Sequence, residues 1–157
     1  MDIKKIFYIC LIFIVAASCI TAVSSAFLES QGITPFSQDT NVTVEGFTFL
    51  IPAGYGEDMT VHEDNVEDDG IISSDRTYFN ENADLVGVTV MYAKNGGDLN
   101  LEIFKEPNSI EKTIDGKKGY LDKSEEVEGL YFFTYVENNK AIMLSAPDEA
   151  TFSQMIL

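Results

Sequence analysis

The sequence predicts an α+β domain behind an N-terminal apolar helix. Three observations carry that expectation: apolar runs with strand period recur between residues 42 and 145, turn dipeptides separate them, and one short amphipathic helix closes the chain. Together they predict a central antiparallel β-sheet of five or six strands with the C-terminal helix packed on one face.

The chain has 157 residues, and residues 6–23 form an 18-residue run without a charged side chain, preceded by Lys4 and Lys5. As a helix rising about 1.5 Å per residue this run is roughly 27 Å long, close to the thickness of a bilayer's hydrocarbon core. The two lysines hold the N-terminus in the cytoplasm and direct the remainder outside. The same stretch has the parts of a secretory signal peptide, with the small residues Ser24 and Ala26 ahead of Phe27. Residues 1–26 are therefore read as a signal peptide or a signal-anchor transmembrane helix. The first gives a product secreted after cleavage behind Ala26, the second a single-pass cell-membrane protein with its C-terminal domain outside.

Both cysteines, Cys10 and Cys19, lie inside the apolar run. The exported part therefore has no disulfide, no thiol nucleophile and no cysteine metal site, and its stability rests on buried apolar side chains. Removing Asp2, Lys4 and Lys5 from the 26 acids and 10 bases of the whole chain leaves residues 27–157 at a formal charge of −17. Such a surface repels nucleic acid and anionic headgroups, so a partner is neutral, cationic or metallic where it touches.

Residues 27–41, with Gly32, Pro35 and no helical or strand period, read as a linker or stalk ahead of an extracytoplasmic domain at 42–157. Asn41-Val42-Thr43 at its outer end matches a glycosylation acceptor. Phe47, Phe49 and Ile51 at period two predict a strand that Pro52 ends. Residues 57–75, rich in acids and without a base, read as a solvated loop, followed by a strand at 76–80. The continuous apolar run at 85–92 predicts a central strand covered on both faces. Asp98 is a candidate cap for a short helix through Lys105, which Pro107 stops. Asp115-Gly116 and Asn138-Asn139 predict two hairpin turns, the second joining strands at 130–137 and 140–145. Along 131–135, Tyr131, Phe133 and Tyr135 share one strand face and Phe132 and Thr134 the other, so the strand is core on both sides or offers one face to a partner. Pro147 is expected at the first helical position, with Phe152, Met155 and Ile156 at i, i+3 and i+4 forming the helix's apolar stripe.

The opening strand GFTFLIPAGY, the hairpin KTIDGKKGYL and the closing FFTYVENNKAIMLSAPDEATFSQMIL together resemble small single-domain exported proteins of methanogenic archaea. The order of elements is also similar to the PsbP-like sandwich, in which helices flank a central antiparallel sheet. The first resemblance implies no assigned activity; the second implies non-catalytic binding and assembly factors. Neither supplies a functional residue.

The residues themselves bound the chemistry. Asn65, Glu67, Asp69 and Gly70 stand at offsets 1, 3, 5 and 6 of a calcium loop, but the twelfth place, which requires a bidentate carboxylate, is Arg76. A looser calcium site built on Asp64, Glu67, Asp68 or Asp69 is the alternative reading. His62-Glu63 begins like a zinc-protease helix, yet Val66 occupies the place of the second histidine, and His62 is the chain's one histidine. Lys123 and Ser124 are adjacent on an acidic stretch, poorly placed for Ser-Lys catalysis. A hydrolase with a carboxylate pair is a further alternative, although no pair is distinguished by sequence. The reading is accordingly a non-catalytic interaction or assembly module, with no catalytic, cofactor-binding or metal-binding residue assigned and no cofactor. Its partners are the membrane, through an uncleaved leader, and an unknown protein or cell-surface partner, not nucleic acid.

Overall fold

The computed structural model describes residues 28–29 and 31–157. The apolar run at 6–23, and with it the signal or anchor reading of residues 1–26, lies outside them. Among the described residues no helix is long and apolar enough to cross a membrane.

The described chain is mostly β, which corrects the α+β expectation. Ten strands form two sheets: a two-stranded hairpin of β1 (Thr40–Val44) and β2 (Phe47–Ile51), and an eight-stranded sheet. The larger sheet contains β3 (Gly56–Glu57), β4 (Glu63–Asp68), β5 (Ile71–Phe79), β6 (Leu85–Ala93), β7 (Ile110–Ile114), β8 (Lys117–Lys123), β9 (Tyr131–Glu137) and β10 (Lys140–Ala146). Its order is β3-β5-β6-β10-β9-β8-β7, with β4 also paired to β5, and every pairing is antiparallel. Helix α1 (Glu149–Met155) has seven residues, too few to define the class.

Two stretches depart from expectation and account for the difference. The acidic residues 57–75 are not a loop; they carry β3, β4 and the first half of β5 around a turn at Asp69-Gly70, whose φ values are 47° and 80°. That pair of left-handed residues is the same hairpin chemistry found at Asp115-Gly116, at Asn138-Asn139 and at Glu45-Gly46, the turn that joins β1 to the expected strand at Phe47–Ile51. Charge does not prevent β structure here, because β4 is an outer strand whose side chains face water and whose Glu67 meets Lys94 at 2.6 Å. The helix expected at 98–105 is a single 3-10 turn, Leu101–Phe104, capped by the side chain of Asn100 rather than Asp98.

Other expectations hold. Strand β6 lies between β5 and β10 and is buried from Leu85 to Met91. Both hairpin turns stand where their dipeptides place them. Strand β9 is core on both sides, with Phe132, Phe133, Thr134 and Tyr135 all buried. The C-terminal helix forms with its stripe inward, although Asp148 is its cap, accepting from the Thr151 N–H at 2.8 Å, and Pro147 precedes that cap.

The sheet has two covered faces. On one, Tyr78, Val86, Val88, Val90, Leu121, Phe133, Ile142 and Leu144 pack beneath the β1–β2 hairpin and α1, with Phe152 6.0 Å from the Phe133 ring. On the other, Phe79, Leu85, Met91, Phe132, Ala141 and Met143 pack beneath Leu28, Ile33, Leu99, Phe104 and Leu130. Part of the segment read as a stalk thus lies against the body: Leu28 and Ile33 are buried on the second face, and Phe36 reaches Tyr78 on the first. It passes β3 so closely that a Cβ added at Gly56 would stand 2.6 Å from the Thr34 carbonyl oxygen.

Candidate functional site

A groove of about 650 Å³ opens where β7 begins, β8 ends and β9 begins. Its floor is apolar, made of Ile110, Leu121, Phe132 and the half-buried Tyr131. Ile110 is 57% exposed although it belongs to a strand whose other end, Ile114, is core. Its rim carries Glu106, Asp122, Glu125 and Glu126 against Lys123 alone.

Local hydrogen bonds hold both walls. In one, Ser109 accepts from the Glu106 N–H at 2.7 Å and donates to Asp122 Oδ1 at 2.5 Å, tying the turn at Pro107-Asn108 to β8. In the other, Ser124 Oγ accepts from the Val127 N–H at 2.9 Å and the Ser124 N–H donates to the Leu130 carbonyl at 2.9 Å, closing residues 124–130 into a compact loop. The groove is therefore formed before anything enters it. Burial raises the Asp122 carboxyl above its ordinary range, opposed by the hydrogen bond from Ser109 and reinforced by the nearby Glu106. Asp122 thus gains from a cation placed beside it.

A second depression, of about 400 Å³, lies beside the β1–β2 turn and is balanced in charge. Lys117 donates to both carboxylate oxygens of Glu137 at 2.8 Å, and Lys140 donates to the Glu45 carbonyl at 2.9 Å while lying 4.5 Å from the centre of the Tyr92 ring. Each cation there already has its partners.

The residues weighed from sequence are not brought together as a metal site. Asn65 accepts from the Tyr92 hydroxyl at 2.9 Å, Glu67 holds Lys94, and Asp69 is in the hairpin turn. His62 Nδ1 lies 2.6 Å from Glu57 and Nε2 3.1 Å from Asp64, and Arg76 bonds Asp64 and the carbonyls of Glu63 and Asp75. This is a network of polar contacts that joins Glu57, His62 and Asp64 to Arg76 on β5. Among the described residues no group of three or more His, Asp or Glu side chains is placed to hold an ion. Ser124 spends its hydroxyl on backbone N–H groups of its own loop. Asn41 and Thr43 are exposed on β1.

Glu106, Ile110, Asp122 and Glu126 escape a reading of the sequence because they converge from separate turns and strand ends, and no local period joins them. The one available signal is Ile110 itself, an apolar residue in register with Leu121 on what proves to be an outermost strand. No protein-family model matches this chain, and neither the curated proteins nor the solved structures contain a match to it.

Proposed function

We propose that this protein is a non-catalytic interaction module working outside the cytoplasm, anchored or secreted through its leader, with the groove at the β7–β9 strand ends as its working surface. The observation that carries the reading is the preformed groove itself, an apolar floor including an exposed isoleucine within a polar rim. Export is supported by the lysine-flanked apolar run and by the restriction of cysteine to it.

The test replaces Ile110 with a photo-crosslinking residue in the full chain, expressed in its own host with a C-terminal tag. An adduct of defined mass that forms at this position, and not at exposed Met59, supports the reading. Equal labelling at both positions, or none at Ile110, overturns it. Fractionation of the same cells reports location, and a full-length product free in the cytosol would remove the extracytoplasmic part of the proposal.

A further inference from the structure

The groove adjoins a sheet edge that no further strand covers among the described residues, and the two together define what fits. Strand β7 pairs with β8 in unbroken register from Ile110 to Ile114. It is last in the sheet, and among the described residues no backbone hydrogen bond from another segment reaches its outer side. An outermost strand presents a row of unpaired N–H and C=O groups, so folded proteins ordinarily bend or charge such edges. The opposite edge follows that practice: β4 carries acids, and its register is broken between Glu63 and Val66 around Asn65, whose φ is 53°. Strand β7 has no bulge, and its own two charged side chains are paired: Lys112 with Glu149 on α1, and Glu111 with Lys118 on the neighbouring β8.

Register assigns the chemistry of each side. Ile110 lies opposite Leu121, which lies opposite Phe133, so these apolar residues of the groove continue one face of the sheet, while Phe132 belongs to the other. Asp122, one residue on, points to the other face, next to Glu106 through Ser109. A strand added beside β7 meets Ile110 with one set of alternate side chains and, with the other, the side that carries Asp122 with Phe132 opposite it.

Resting on the groove reading, we propose that the occupant is an extended segment of a partner protein in which apolar and basic residues alternate, added to β7 as a further strand. Its main chain completes the edge, its apolar residues cover Ile110, and its basic residues meet Asp122, Glu106 and Glu126. The charge of −17 on residues 27–157 favours the approach of such a segment.

The full chain is titrated with short labelled peptides of alternating valine and lysine, alternating valine and glutamate, and a block peptide with the valine–lysine composition. The proposal expects the alternating lysine peptide to bind roughly tenfold or more tightly than the other two, and to weaken as salt rises. It also expects slower amide exchange at residues 110–114, and loss of binding when the peptide is N-methylated along one edge. Combined Glu106→Gln and Asp122→Asn substitution lowers affinity about tenfold if those carboxylates are the contacts. Equal binding of the block peptide, or unchanged exchange at 110–114, overturns the strand-addition claim. If crosslinking from Ile110 succeeds and no basic peptide binds, the groove is an interaction site and the partner's chemistry is wrong; if crosslinking fails as well, both readings fall. Concentration-dependent dimers abolished by Thr113→Pro would name a second copy as the occupant and overturn the basic partner.

Discussion

The two faces of the large sheet are both buried, but they are built differently. Beneath the β1–β2 hairpin and α1 the interior is aromatic and aliphatic, and the buried hydroxyl of Ser74 on that side is fully engaged, donating to Glu45 Oε1 at 2.8 Å and accepting from the Asn65 N–H at 3.0 Å. The opposite face alternates its apolar residues with Ser73, Asp75, Thr77, Thr89, Thr134 and Ser145. Both buried side-chain oxygens without a hydrogen-bond partner among the described residues, Asp75 Oδ2 and Thr134 Oγ1, lie there. The faces thus differ in how their buried polar groups are satisfied. The second carries polar groups at a cost, since an unpaired buried oxygen loses its hydration without replacement.

The largest expected effect comes from opening the first face. Phe152 is fully buried against Phe133 and belongs to the short helix that closes this core. Phe152→Ala should lower unfolding stability by about 3–5 kcal/mol in urea denaturation, through lost burial and the cavity left behind. A loss below about 1 kcal/mol would mean that the helix is not holding this face.

On the second face the sign reverses. Burial pushes the Asp75 carboxyl up to about 6 from its ordinary 3.8, with the hydrogen bond from Thr89 opposing, so ionised Asp75 is worse accommodated in the folded chain than in the unfolded one. Its contribution to stability is complete below pH 3.8 and is lost as pH rises through about 6. Asp75→Asn should therefore raise stability at pH 7.5 by on the order of 2–3 kcal/mol, with the gain shrinking toward pH 4. A gain independent of pH would show that ionisation is not its cause.

Smaller substitutions sharpen the contrast. Ser74→Ala removes a buried hydroxyl with two partners and should cost about 1–2 kcal/mol. Thr134→Val keeps the shape of a hydroxyl with none and should gain up to about 1 kcal/mol. Thermal unfolding of the two variants side by side checks both signs, and a shared sign would abolish the distinction between the faces.

The legibility of the chain follows the range of its interactions. Asp115-Gly116, Asn138-Asn139, the buried run of β6 and the stripe of α1 were readable because each depends on residues within a few positions of one another. The Asp69-Gly70 turn carried the same signal and was outweighed by the charge around it, since acids read as solvated loop until an outer strand is known to need them. Glu45-Gly46 was hidden because Phe47, Phe49 and Ile51 suffice to make one strand without it. The groove had no comparable sign: Glu106, Asp122 and Glu126 are ordinary acids until Ser109 and Ser124 fold their loops beside β7.

By itself the sequence determined the turn chemistry, the antiparallel pairing of neighbouring strands, the thiol-free and anionic character of residues 27–157 and the closing helix, all of them properties of local dihedral preference, side-chain period and composition. Only the tertiary structure decided that an acidic stretch would be sheet, that β7 and β4 would be the outer strands, and which face would receive the unpaired oxygens. Strand order is set by which apolar faces meet across long separations in the chain, and no window of neighbouring residues contains that choice.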